Sequence, residues 1–377
     1  MATARRSNRT LKTLAARDIC EVLGEVAPPE LAADWDNVGL LIGDASSPVR
    51  RLLLTIDLTE AVLAEAARAS ADMVMAYHPP IFKALTKLTT AAAPVVWAAA
   101  RAGLAVYSMH TALDAAPGGT NDVLAEAVGV VDAHPLAPAP AEGQCKLVVF
   151  APPGDLPAVA SAAFAAGAGR IGNYSECSFA APGTGTFLGG AGSSPAVGRA
   201  GRRERSAEVR LEAVVPRAAL AEVVSAIREA HSYETPAIDV YALEPVPCGG
   251  GMGRVGRLRR PVGMKAFIAR VKRALGVPRV LVAGRAPRRV TTVAVGAGSC
   301  GDLCDDAARA GADVFVTGEM RHHQALAAAA AGLTVVCVGH SNSERLTLGV
   351  LAKRIRTALP GLKVKISRKD RDPFDIA

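Results

Sequence analysis

The chain has 377 residues, 50% of them apolar, 4% aromatic and 21% charged, with a formal net charge of +8. That length exceeds what one hydrophobic core usually covers, so two domains are expected, with cores of Ala, Val and Leu rather than rings. The basic residues are dispersed outside Arg5-Arg6, Arg199 to Arg203 and Arg285 to Arg289, and no aromatics interleave them, which argues against a specific nucleic-acid interface. Seven cysteines, an odd number with no paired spacing beyond Cys300-x-x-x-Cys304, argue against a disulfide framework and for a reducing compartment. No run of about 18 apolar residues occurs, and the basic amino terminus lacks the apolar segment and cleavage site of a signal peptide. A cytoplasmic protein without membrane contact is expected.

Residues 10–26 place apolar side chains at helical spacing and stop at Pro28-Pro29. An α/β alternation follows. It runs through a strand at 52–56 ending at Asp57, a helix at 59–69, and a strand at 73–76 leading to His78. A helix at 91–102 closed by Gly103 comes next, then a strand at 104–107 ahead of His110 and Asp114. Near Ala133 the rhythm gives way to Pro and Ala, and Cys145 opens a different order. There the pattern is strand, helix (156–166), a Gly-rich irregular stretch in which 183–190 reads as a mobile loop, strand (208–215), helix (218–230) and strand (238–243). A βαβ-type unit repeated once is the signature of a ferredoxin-like domain. After Cys248 the first rhythm resumes, with strands at 290–295, 313–316 and 334–338. The expected fold is therefore α/β: a discontinuous host domain with a mixed sheet, residues 1–144 and 248–377, and an inserted α+β domain at 145–247.

Ligands of open α/β sheets gather beyond the carboxyl ends of the strands, where residues distant in sequence converge. Four side chains at such ends are candidate metal ligands: His78, Asp114, His340 and Glu344. Imidazole with carboxylate suits Zn, Mn or Fe and argues against Ca, which prefers oxygen alone. In Gly339-His-Ser-Asn-Ser-Glu-Arg, Glu344 lies one helical turn after His340, so the pair can face one metal or bridge two. Tyr77-His-Pro-Pro fixes His78 at its strand mouth, because the prolines continue neither helix nor ladder. His110 offers another imidazole four residues before Asp114.

Each has a plainer reading. A histidine beside a strand end is more often structural than a ligand, and Asp114 or Glu344 can serve a helix N-terminus. His322 and His323, adjacent on an expected helix, point apart. Cys300 and Cys304 read as small buried residues. Gly296-Ala-Gly-Ser-Cys-Gly can present N–H groups to an anion, but it has neither dinucleotide nor P-loop spacing, so no nucleotide cofactor is expected.

Six ordered motifs then carry a resemblance: Trp35-Asp-Asn-Val-Gly-Leu-Leu-Ile-Gly, Asp57-Leu-Thr-Glu, His78-Pro-Pro-Ile-Phe, His110-Thr-Ala-Leu-Asp114, Thr317-Gly-Glu-Met and Gly339-His-Ser-Asn-Ser-Glu-Arg. Together they resemble the GTP cyclohydrolase 1 type 2 homologs, the Nif-three-like family. Gly167 to Phe179, Gly183-Thr-Gly-Thr-Phe and His231-Ser-Tyr-Glu-Thr-Pro resemble the PII/CutA-like module of its longer members. The resemblance implies a two-metal centre in a toroidal homohexamer, with ligands falling on His78, Asp114, His340 and Glu344. It also implies hydrolysis of a nucleotide-like substrate, GTP ring-opening being the family's assigned reaction, with His110, His322 or His323 moving protons. The chain departs from the family at Tyr77, where many bacterial members carry a further metal-binding histidine. The competing reading is non-enzymatic: metal binding, delivery or regulation, with the insert as a sensor or ring cap.

Overall fold

The computed structural model describes residues 14–139, 143–172, 174–244 and 250–374. The expected start of the opening helix at residues 10–13, the Arg5-Arg6 pair and Cys248 lie outside them. Two compact units divide the chain, Met1–Ala139 with Gly249–Ala377, and Pro140–Cys248. The fold is mixed α/β, and among the described residues no helix is long and apolar enough to cross a membrane.

Among the described residues the discontinuous unit holds two large sheets rather than one, together with a two-stranded pairing of Leu14–Ala15 with Pro48–Val49. In the first, the strands Lys363–Ile366, Arg51–Thr55, Met73–Ala76 and Ala105–Ser108 run parallel, and Gly39–Ile42 closes the edge antiparallel. Every residue of Met73–Ala76 is buried, because helices cover both faces of a parallel sheet. Ala16–Val26 and Leu346–Ala358 cover one face with Ile19, Leu23, Leu351 and Ile355. Glu60–Arg68 and Pro94–Arg101 cover the other with Val62, Ala66, Val96 and Ala99. The Thr59 hydroxyl accepts the Val62 N–H at 3.3 Å and so caps the first of these two helices.

The second sheet has the order Leu281–Ala283, Thr334–Cys337, Val314–Thr317, Val290–Gly296, Gly251–Val262, Val130–Pro138, with its second, third and fourth strands parallel. Thr120–Val128 and Met264–Leu275 pack Leu124, Val128, Phe267 and Val271 against one face.

One buried ion pair ties the chain before the inserted unit to the chain after it. Arg254, 1% exposed on Gly251–Val262, meets Asp122 of the Thr120–Val128 helix through Nε at 2.7 Å and Nη2 at 2.8 Å. Its remaining donors reach the carbonyls of Gly251, Gly253 and Ala116, so all five N–H groups are satisfied. Replacing Arg254 by Leu would leave the partly exposed Asp122 carboxylate with the Gly118 N–H as its hydrogen-bond partner and would take a donor from the carbonyls of Gly251, Gly253 and Ala116. The expected cost is about 3–5 kcal/mol, read as a lowered urea midpoint by fluorescence, since Trp35 and Trp97 both report on this unit.

The inserted unit is a four-stranded antiparallel sheet in the order Ile238–Ala242, Gln144–Ala151, Arg203–Pro216, Ser178–Leu188. In chain order that is 4-1-3-2, with the helices Leu156–Ala165 and Leu220–Ala230 between strands. Val159, Ala163, Val223 and Ile227 from those helices pack with Leu147, Val149, Leu211 and Val215. The Gly-rich stretch expected as a loop is instead largely strand: Ser178–Leu188 pairs with 203–213 throughout, leaving only its last two residues outside. Glycines carry no side-chain alternation to reveal a strand, and the partner supplies the ladder.

Candidate metal centre

Parallel ladders aim the candidate ligands. Tyr77 and His78 extend their strand by one step, their N–H groups bonding to the carbonyls of Thr55 and Ile56, before Pro79 ends it. Val338 and Gly339 do the same against Thr317 and Gly318, and His340 then opens the short helix His340–Glu344. Both strand ends face one cleft of about 470 Å3, which Asp57, His110, Asp114 and Glu344 also line.

His78, His340 and Glu344 form a group whose ligand atoms all lie within 4.8 Å of one another. Nε2 of His78 is 3.4 Å from one Glu344 oxygen, and Nε2 of His340 is 3.3 Å from the other. The opposite nitrogens are already engaged, His78 Nδ1 with Asp57 at 2.9 Å and His340 Nδ1 with Glu319 at 3.0 Å. A carboxylate on Nδ1 holds a proton there and aims Nε2 at Glu344, where a metal would take the place of the Nε2 proton. His78 Nε2 and Glu344 Oε2 are buried without a hydrogen-bond partner, and Glu344 is only 2% exposed. Unpaired buried polar atoms are costly, so two imidazoles facing an orphaned carboxylate fit a divalent cation.

Electrostatics agree. Burial pulls the His78 pKa down, but Asp57 and Glu344 prevail and hold it at about 10. Glu344 raises His340 to about 9 against burial, with help from Glu319. Burial opposes ionisation of Glu344, yet both imidazoles bring its pKa below the ordinary value.

Two glycines make the cleft possible. A Cβ on Gly298, where φ is +71°, would lie 2.8 Å from Glu344 Oε1. One on Gly318 would lie 2.5 Å from the Gly298 carbonyl oxygen and 3.0 Å from the His340 Cα. Ser343 joins these segments, accepting the Gly298 N–H at 2.8 Å and donating to the His340 carbonyl at 2.6 Å. The Gly296–Gly301 segment thus serves here as close-packed wall.

Asp114 lines the same cleft but stands outside the three-residue group. Its Oδ1 accepts the hydroxyl of Tyr77, which is wholly buried and also lies 3.0 Å from the Thr120 hydroxyl. Burial and the charge on Glu344 lift the Asp114 pKa to about 6. His110 begins its helix with φ at +24°, a strained value for a non-glycine residue, and its ring centroid is 5.2 Å from that of His78. Asp36 holds it there through Nδ1 at 2.8 Å. His322 and His323 contact each other and lie outside the group.

Asp57 and Glu319 are the functional residues that single-residue reasoning passed over as ligand supports, although both sit in quoted motifs at strand ends. Each follows the parallel strand beside that of its histidine, and this spacing was the available signal.

Fold and site together define an α/β protein with a candidate divalent-metal centre at the carboxyl ends of two parallel ladders. The family described as Duf34/NIF3 (NGG1p interacting factor 3) matches residues 14–373, and the chain belongs to it. A Bacillus subtilis (strain 168) protein named GTP cyclohydrolase 1 type 2 homolog is 36% identical over 368 residues, 96% of this chain and 99% of its own. One of the same name from Mycobacterium tuberculosis is 37% identical over 366 residues, 95% of this chain and 96% of its own. Among solved structures, a Bacillus cereus protein related to NIF3 matches with a TM-score of 0.70 at 35% identity, over 97% of this chain and 100% of its own. A Staphylococcus aureus protein matches at 0.79 with 25% identity, over 97% and 99%.

Two predictions follow from the geometry. Asp57→Asn and Glu319→Gln should each weaken divalent-cation binding by about 10–100-fold in calorimetric titrations, with folding unchanged. Asp36 provides the second. Burial would raise its pKa, but hydrogen bonds from His110 and Thr111 lower it to about 2. A depressed carboxyl pKa stabilises the fold above the unfolded value near 3.8, and that stability is lost as pH falls toward 2. Asp36→Asn should therefore flatten the pH dependence of urea stability across that window by on the order of 1–2 kcal/mol.

Proposed function

We propose that the cleft binds divalent metal and hydrolyses a small nucleotide-like substrate, the reaction class that the relatives' name, GTP cyclohydrolase 1 type 2 homolog, suggests. The observation that carries this reading is the meeting of two tautomer-fixed imidazoles on a buried, half-unpaired carboxylate inside a solvent-open cleft. His78, His340 and Glu344 would hold one ion, and the nitrogen and oxygen donor set suits Zn, Mn or Fe. Asp114 and Glu344 are two buried carboxyls that interact electrostatically, which favours a second cation beside the first. When bound, a divalent ion supplies Lewis acidity and eases deprotonation of a water.

The chain's own residues do the remaining work. Asp57 and Glu319 keep both Nδ1 atoms protonated and both rings aimed inward. His110, oriented by Asp36, is placed to take or give a proton at Nε2. Trp35 and Phe82, both exposed, line the cleft beside it with ring centroids 5.8 Å apart and offer an apolar face to a substrate.

The same reading takes the inserted unit as PII/CutA-like, on the strength of its 4-1-3-2 strand order, and the assembly as a cytoplasmic homohexamer. A second reading, metal delivery or regulation without turnover, draws on Tyr77, whose hydroxyl engages one oxygen of Asp114, and on a convergent group of three residues that does not include Asp114.

Elemental mass spectrometry of freshly purified protein, followed by GTP turnover on the same sample, tests the proposal. The expectation is close to two metals per chain and turnover that chelation abolishes. His340→Ala and Asp114→Ala should each lose most bound metal while retaining the native circular dichroism spectrum. Metal retained in both variants would remove the site assignment, and loaded protein without turnover would leave the delivery reading.

A further inference from the structure

The inserted unit carries a pocket of about 300 Å3, remote in sequence from every residue of the metal centre. Its apolar lining includes Phe150, Phe187, Pro195 and Val197, and beside the hydroxyl residues Thr186, Ser193 and Thr235 its polar lining includes the carboxylates of Glu208 and Glu234 and Tyr233. Strand alternation explains the composition. Gly185 and Phe187 lie across from Ser206 and Glu204, on the sheet face that Glu208 shares, whereas Arg205 points to the opposite face.

Glu208 is set in place rather than loose. Its Oε1 accepts the Tyr233 hydroxyl at 3.1 Å, and that hydroxyl is 3.2 Å from Ser206 Oγ. Tyr233 is held in turn by its backbone N–H, which donates to His231 Nδ1 at 3.0 Å, and His231 Nε2 contacts the Phe150 carbonyl at 2.9 Å. A Cβ on Gly185 would come within 2.1 Å of Glu208 Oε2, so the glycine leaves room for the carboxylate. Among the described residues neither Glu208 nor Glu234 has a basic partner. Arg210, on the same sheet face as Glu208, is paired with Glu212 at 2.7 Å, and its guanidinium lies 5.7 Å from the Phe150 centroid. Ser194 N–H donates to Glu234 at 3.1 Å and draws the 189–197 segment over the pocket.

A small apolar cavity with unneutralised carboxylates and aromatic faces recognises positive charge attached to an apolar body. We propose that this pocket is a binding site for a small organic amine, its ammonium on Glu208 and its apolar body against Phe150, Phe187 and Pro195. Charge selects the ligand and the pocket's volume limits its size.

The test is titration of the full chain, with chelator present, by phenethylamine, with 2-phenylethanol and phenylacetate as uncharged and anionic counterparts, followed by ligand-observed NMR. The amine should bind saturably and the other two should not. Glu208→Gln keeps an acceptor for Tyr233 but removes the charge, and should weaken amine binding by about tenfold or more. Gly185→Val, which suits a strand, should fill the pocket and abolish binding while the circular dichroism spectrum is unchanged. No saturable amine binding, equal binding of phenylacetate, or an unaltered affinity in Glu208→Gln would each overturn the proposal. None of these outcomes depends on metal content or turnover, so failure here leaves the reading of the metal cleft untouched.

Discussion

The carboxylate of Glu344 is the constraint on which the cleft depends. At 2% exposure it can stay ionised only if positive charge compensates for lost solvation, since an isolated buried carboxylate neutralises instead. His78 and His340 supply that charge from opposite sheets, one to each oxygen. The arrangement couples the two ladders: the first sheet presents its imidazole to a carboxylate carried by the helix that follows the second. A cation taking the place of the imidazole protons would meet donor atoms that already lie within 4.8 Å of one another.

The supports of those imidazoles repeat across the two sheets. Asp57 follows Arg51–Thr55 and His78 the adjacent parallel Met73–Ala76, while Glu319 follows Val314–Thr317 and His340 the adjacent Thr334–Cys337. Parallel neighbours end side by side, within about 4.8 Å in the hydrogen-bonding direction, which places a carboxylate on each Nδ1 almost automatically. Within the second sheet, Gly298 and Gly318 let the segments that follow its three parallel strands close on one another, by omitting side chains where backbone meets backbone and carboxylate. The tail takes part as well. Asp370 accepts the Ile56 N–H at 2.9 Å and pairs with Arg345 at 2.6 Å, binding the residue before Asp57 to the residue after Glu344.

Much of this was legible in the chain. Strand runs ending in His78 and His340, and the turn from His340 to Glu344, follow from apolar patterning and helical spacing alone. The two sheets were not separable, because Val130–Pro138 and Gly251–Val262 mix Pro, Gly and Arg and have no clean alternation. They exist through pairing with each other and with Val290–Gly296, a long-range property. Arg254 escaped for the same reason: nothing local distinguishes an arginine with five satisfied donors at 1% exposure from the exposed Arg257 three residues on. Ser178–Leu188 shows the converse, a Gly-rich segment made strand by its partner.

Tyr77 sets what remains of the cleft's proton inventory. A phenol has one proton, and a carboxylate is acceptor-only when ionised, so the Tyr77 hydroxyl donates to Asp114, and Thr120 can then donate to either. Burial and the neighbouring charge of Glu344 push Asp114 toward its neutral form, and the hydrogen bonds from Tyr77 and Thr120 push back. Tyr77 itself resists ionisation strongly, because it is buried beside two carboxyls. The phenol is therefore a fixed donor that holds Asp114 in one orientation and spends one lone pair of one oxygen. A carboxylate has about four acceptor sites, so this bond alone leaves Asp114 capacity for a cation on its other oxygen. Asp114 therefore keeps an oxygen with which it could join the candidate group of His78, His340 and Glu344, and the bond to Tyr77 does not remove it.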